Sequence, residues 1–251
     1  MIRKTVDVPR SFKQDYQYAV ERNLWRKMNY TEQQLQANYD KFIAFVKKAF
    51  ASQPERMEKL LHMYSPEELG MELAVAPASG KLYFHSAYIG GYIDHVMNVC
   101  KNAIGQITQF ENNGGTIDFE VEELLFAAMH HDLGKVGFPG DGNEVYQVET
   151  SDWHRKNQNK MYKHNENIPF TMVPDLSIWL LQQYDVKLSW TEYQAIKIHD
   201  GMYDDANKPY FVARSAQAKL KTNLPIVLHH GDHMAAQIEF ERWRNKDNST
   251  P

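Results

Sequence analysis

One cysteine in 251 residues, Cys100, leaves no partner for an intrachain disulfide and no thiolate cage for a metal. It sits in the apolar stretch "HVMNVCKNAI", where a small thiol behaves as a core residue. Long apolar runs are missing as well. Nothing approaches the ~20 residues of a membrane-spanning helix, and the N-terminal "MIRKTVDVPRSFKQD" lacks the apolar segment of a secretory signal. The expected compartment is the cytoplasm, with no membrane partner. Positive charge is not in excess either: 28 Lys and Arg against 32 Asp and Glu give a net −4. That balance argues against a grip on long nucleic acid but leaves room for a small phosphorylated substrate. The glycines form no phosphate-cradling loop, since "GKVGFPGDG" lacks P-loop spacing. H-E-x-x-H, C-x-x-C and a nucleophile elbow around the serine of "HSAY" are all absent, as are internal repeats.

What is present is an ordinary globular composition, 43% hydrophobic and 24% charged, with helical periodicity along most of the chain. "YTEQQLQANYDKFIAFVKKAF" has Thr31 as a cap, then apolar residues at Leu35, Tyr39, Phe42, Phe45, Val46 and Phe50. "SPEELGMELAVA" suggests a helix capped by Ser65 with Pro66 at its first position. Further helices are expected at "GGYIDHVMNVCKNAIGQITQFE", "DFEVEELLFAAMHHDL", "DLSIWLLQQYD", "TEYQAIKIHD", "YFVARSAQAKL" and "NLPIVLHHGDHMAAQIEFERWRN". From Gly137 to Asn167 the chain is polar and aromatic and reads as loop, with one short helix after Ser151. The fold class is therefore all-α. Pro77 and Gly80 in "APASGKLYFHS" mark a seam between a helical N-terminal extension, residues 1–80, and a main domain, 81–243; residues 244–251 read as a flexible tail.

The chemistry-bearing residues fall on the apolar faces of those helices. His131 follows Ala127 by four and Leu124 by seven; Asp132 follows Met129, Ala128 and Leu125 by three, four and seven. His95 lies between Tyr92 and Val99, His199 follows Ile196 and Ala195, and Asp232 lies between Leu228 and Ala235. Any one of these, alone, reads as a core histidine or aspartate bonded to a backbone group. Five together, from four helices, need a shared counter-charge, because unpaired buried carboxylates and imidazoliums are costly. Nitrogen and oxygen ligands without sulfur suit a divalent cation, Mn, Fe, Ni, Zn or Mg.

His95, the doublet His131-Asp132 followed by "LGK", and Asp232 in "HHGDHMAA" resemble the H…HD…D signature of the HD superfamily of metal-dependent phosphohydrolases. "HSAYIGGYIDHVMNV" is similar to the "HHAYxGGLLEHT" segment of HD-type exoribonuclease relatives, with Ser86 in place of the second histidine. The likeness spans roughly residues 81–243, and residues 1–80 carry none. It implies a helical bundle holding two divalent ions: one on His95, His131 and Asp232, the other on His164 of "YKHNEN" and His199 of "AIKIHDGMY", with Asp132 bridging. It also implies that Lys135 reaches a substrate phosphate, beside the alternative of a partner for a helix C-terminus. The activity implied is hydrolysis of a phosphate ester or anhydride, of a nucleotide or a related small molecule, by metal-activated water. Two alternatives remain: a di-iron oxygenase using the same ligands, and a non-catalytic regulatory binding protein. The loop "NEVYQVETSDWHRKNQNKMYKH" supplies aromatic and cationic groups, and Trp153, Arg155, Lys156 and Tyr162 are the candidates for its contact with substrate.

Overall fold

A computed structural model describes residues 30–213, 215–217 and 219–247. Among them are ten α-helices and one two-stranded ribbon, an all-α architecture. No helix among the described residues is long and apolar enough to cross a membrane.

Helix α1 (Glu32–Ala49) starts where the sequence places its cap: Thr31 accepts from the Gln34 amide, and the Gln34 side chain returns to the Thr31 amide. Its stripe of Tyr39, Phe42 and Val46 is buried against α2 (Pro54–Met63) and α3 (Gly70–Val75). The helix anticipated from Ser65 begins five residues later. "SPEEL" is a turn, with the Glu68 and Gly70 amides both donating to the Ser65 carbonyl. The described part of the 1–80 segment shares one continuous apolar core with the rest of the chain, from Phe42, Leu60 and Tyr64 through Val96, Phe126 and Leu228. Arg56 reinforces that union. It pairs with Glu192, which is buried, through two bonds of 2.6 and 2.9 Å, and its guanidinium lies 4.3 Å from the Phe126 ring centre.

The centre of the molecule is four helices, α4 (Gly91–Asn112), α5 (Val121–His130), α8 (Trp190–Lys197) and α10 (Leu224–Asp247), with α5 and α10 each packed against the other three. Helix α10 lies against α4 at Gly231, where a Cβ would stand 2.7 Å from the Ala103 Cα, so only glycine permits this approach. Helix α5 ends at His130; His131 is its C-cap, and Asp132 leads into a 3-10 turn, Leu133–Lys135. That turn is clamped by α7 (Val173–Gln183): Ser177 Oγ accepts from the Gly134 amide at 2.7 Å and bonds to the Val173 carbonyl.

The loop from Gly137 to Asn167 holds more order than its composition suggests. Strands β1 (Tyr146–Val148) and β2 (Tyr162–His164) pair antiparallel with Tyr146 opposite His164, around helix α6 (Asp152–Gln158). Ser151 caps α6 as anticipated, accepting from the His154 amide. In "YFVARSAQAKL" the structure departs from the expected helix, because α9 (Lys208–Val212) stops at Val212. Of the expected tail, residues 244–247 continue α10, and 248–251 lie outside the described residues, as do residues 1–29 of the expected extension.

Candidate metal centre

The C-terminal end of α5 meets the inward faces of α4 and α10, and there four side chains converge. His95 Nε2 stands 3.2 Å from Asp232 Oδ1 and 3.5 Å from Asp132 Oδ2. His131 Nε2 stands 3.3 Å from Asp132 Oδ2 and 3.6 Å from Asp232 Oδ1. The result is a four-cornered ring alternating nitrogen and oxygen. Both Nε2 atoms are buried and have no hydrogen-bond partner. Ligand atoms ~2.1 Å from one cation and separated by right or tetrahedral angles are about 3.0–3.4 Å apart. Two edges of the ring lie in that range and two are 0.1–0.2 Å longer, close to the spacing of a divalent site, and its buried nitrogens supply the lone pairs such a site needs once they give up their protons. These residues can hold a metal ion.

His199, just beyond α8, lies on the other side of Asp132, its Nε2 3.6 Å from Oδ1 of that aspartate and 3.6 Å from Asp200 Oδ1. Its ring packs edge-on against His131, with centres 4.8 Å apart. His131, Asp132 and His199 form a second ligand-like group that shares residues with the first. A third group, His85, His95 and Asp132, was not singled out in the sequence. It already contains a cation: Lys135 Nζ is 2.5 Å from Asp132 Oδ2 and 3.3 Å from His85 Nε2. His85 stacks on His95 with ring centres 4.3 Å apart. Its signal was available, since His85 opens the same "HSAYIGGYIDH" stretch that ends in His95.

Each imidazole is aimed by its other nitrogen. His131 Nδ1 meets the Ala128 carbonyl at 2.8 Å and His199 Nδ1 the Ile196 carbonyl at 2.9 Å, each within its own helical turn. A carbonyl only accepts, so Nδ1–H donates and Nε2 is directed at the aspartates. His95 Nδ1 instead faces the carboxylate of Glu239, at 3.2 and 3.4 Å. Glu239 lies on α10 seven residues after Asp232, on the same face of the helix; that spacing was the sequence signal for it.

The electrostatics are those of a cluster neutralised from within. Burial opposes charge on His95, but Glu239, Asp132 and Asp232 outweigh it and hold its pKa well above the usual imidazole value. His131 rises to about 9, again against burial, because of Asp132 and Asp232. His199 is also raised: burial is offset by Asp132 and Asp200. Burial would raise both aspartates, yet Lys135 and His131 hold Asp132, and His131 and His95 hold Asp232, well below the carboxylate range. Lys135 is partly buried, and Asp132 more than offsets that burial to keep it charged. His85, by contrast, is pushed down to about 3 by burial and by its neighbours His95 and Lys135, so it is neutral.

The remaining sequence candidates lie elsewhere. His164 is exposed on β2, its ring 5.2 Å from that of Tyr146, and it joins none of the ligand-like groups. The polar 137–167 loop offers His164 as a ligand, but the β1–β2 pairing leaves this side chain exposed on the ribbon. Tyr162 lines a cavity of about 60 Å³ that also contains Lys135, Val136 and Tyr146, so it stands beside the centre. Trp153 and Lys156 are exposed on α6. Arg155 is buried, donating to the Glu149 carbonyl at 2.8 Å and pairing with Asp152. Its charge is engaged in the first turn of α6. His130, next to the ligand-like doublet, is turned away to Tyr64 Oη and the Phe126 carbonyl, both at 2.6 Å.

Comparison of the chain with protein-family models, with curated proteins and with solved structures gave no match in any of the three. What this centre can do follows from its geometry and from the chemistry of its donors.

Proposed function

We propose that this protein is a metal-dependent phosphohydrolase of the HD type, cleaving a phosphate ester or anhydride of a nucleotide or a related small phosphorylated molecule. The observation that carries the reading is the ring of His95, His131, Asp132 and Asp232, in which two buried imidazole nitrogens each face two carboxylate oxygens at 3.2–3.6 Å. Its nitrogen and oxygen donors suit Mn, Fe, Ni, Zn or Mg. The chemistry such a cation supplies is activation of water near neutral pH and neutralisation of charge on a phosphoryl group. A second cation, which the family resemblance implies, would rest on Asp132 Oδ1 and His199, without His164.

The protein's own groups do the rest. His95 and His131 are fully buried, whereas the side chains of Asp232 and Lys135 are 19% and 13% exposed, so the way in from solvent is on their side. Lys135 carries a positive charge to that entrance and is placed to exchange its contact with His85 for a phosphate oxygen. The 3-10 turn held by Ser177 keeps Lys135 and Asp132 in fixed relation, so the phosphate would be bound and oriented by one rigid element.

The test is metal-specific turnover. Protein reconstituted with Mn under anaerobic conditions is expected to release phosphate or a nucleoside from a member of a panel of nucleotides and phosphodiesters. Turnover that requires iron and consumes oxygen would replace the proposal with a di-iron oxygenase. Full metal occupancy with no turnover under either regime would leave a binding protein.

A further inference from the structure

We infer that Glu239 is a positioning residue of the metal centre: its carboxylate fixes the ring of His95 and strengthens the metal-facing nitrogen of that imidazole. This rests on the reading of the four-residue ring as a cation site. The three imidazoles at the centre are not supported alike. His131 and His199 each lean on a neutral carbonyl of their own helix, and only His95 is backed by a charge. A carboxylate can only accept, so His95 Nδ1 is the donor and Nε2 is left to face Asp232 and Asp132. An anion behind an imidazole increases electron density at the opposite nitrogen and makes it a better ligand.

Glu239 is itself held in place. Asn98 donates to Oε1 at 2.8 Å and Ser86 donates to Oε2 at 2.8 Å, while both oxygens face His95. Asn98 comes from the next turn of α4 beyond His95, and Ser86 comes from the segment that carries His85. Three donors from two separate elements thus fix one buried carboxylate at a single imidazole, more than a surface ion pair would need.

The rear of this arrangement is open. Glu239, Ser86 and Asn98 line a cavity of about 420 Å³ whose walls also carry Lys41 and Arg242, two cations against the one further carboxylate of Asp94, which Tyr30, Asn38 and Tyr88 already satisfy. A carboxylate removed from position 239 can therefore be replaced from solvent by a small anion, drawn by those two cations. That gives the inference a test that a merely structural role would not pass.

The measurement is Mn²⁺ affinity, by calorimetry on the full chain. Glu239→Gln, which keeps the shape and loses the charge, is expected to weaken binding ~10–100-fold. Glu239→Ala should lose as much, and millimolar formate should restore part of the loss saturably while leaving the wild type unchanged. Asn98→Ala, which removes one of the three donors, should weaken binding by a smaller factor; it serves where the Glu239 variants fail to fold. The inference is overturned if Glu239→Gln binds Mn²⁺ as tightly as the wild type, if formate does nothing for a folded Glu239→Ala protein, or, where only the Asn98→Ala variant folds, if that variant binds normally. A wild type that binds no Mn²⁺ or other divalent ion removes the metal-centre reading itself, and this inference with it.

Discussion

Metal binding at this centre should expel protons, and their number follows from the charge balance. In the metal-free protein His131 titrates at about 9 and His95 is raised well above its ordinary value, so both imidazoles are cationic at pH 7. A cation in the ring needs both Nε2 lone pairs, so an ion bound there should release about two protons near neutral pH. Affinity should then fall about a hundredfold for each unit of pH below 7, until the aspartates also begin to protonate. The sign for stability is opposite in the metal-free protein. His131 is raised from 6.5 to about 9 on folding, so its contribution is complete below about 6.5 and is lost as pH rises through about 9. That shift corresponds to about 3 kcal/mol, as an order of magnitude, for a fully buried group. Metal-free protein should accordingly melt lower at pH 9 than at pH 6.5, whereas metal-loaded protein should gain over the same interval. Calorimetric titration with Mn²⁺ in buffers of different ionisation enthalpy counts the protons directly. A count of zero between pH 6 and 8 would refute the charge assignment, because it would mean that the imidazoles were already neutral.

Two further outcomes follow from the same geometry. Gly134→Ala should destabilise the protein by ~1–3 kcal/mol and weaken metal binding, because its Cβ would stand 2.4 Å from the Val173 carbonyl and 2.9 Å from the Leu176 Cβ and would force Asp132 and Lys135 to move; chemical denaturation and metal titration check the two parts separately. His164→Ala should leave metal content unchanged while His199→Ala lowers it, and metal analysis of the two purified variants would show the reverse if β2 supplied a ligand.

The helical content was legible because apolar residues recur at helical spacing through α1, α4, α5 and α10, and because Thr31 and Ser151 advertise their caps. Boundaries were less so. At Ser65 the serine, proline and glutamate of a helix start are all present, yet the chain turns back on itself and Gly70 tucks under the Tyr64 carbonyl, a close local approach that only the glycine signals. The β1–β2 ribbon escaped for a different reason. Three residues per strand are too few to display an alternating period, and the pairing of Tyr146 with His164 spans a helix.

At the centre itself, legibility tracked how much of each side chain's surroundings is local. His131 and His199 take their Nδ1 partners from their own helical turns, and Asp132 follows directly in sequence, so an apolar face ending in polar groups was enough to find them. Asp232 and His95 were recognisable as polar interruptions of apolar stripes. Glu239 sits on the same stripe as Asp232, but in "IEFERWRN" it is one of several charges near a helix end, and a solvated glutamate is the ordinary reading there. Its burial is decided by the approach of α10 to α4, which Gly231 allows by lying on the Ala103 backbone. The same approach brings Asp232 to His95. One glycine contact between two helices thus sets both the ring that can hold a cation and the carboxylate behind it, and neither is written in the residues that immediately flank them.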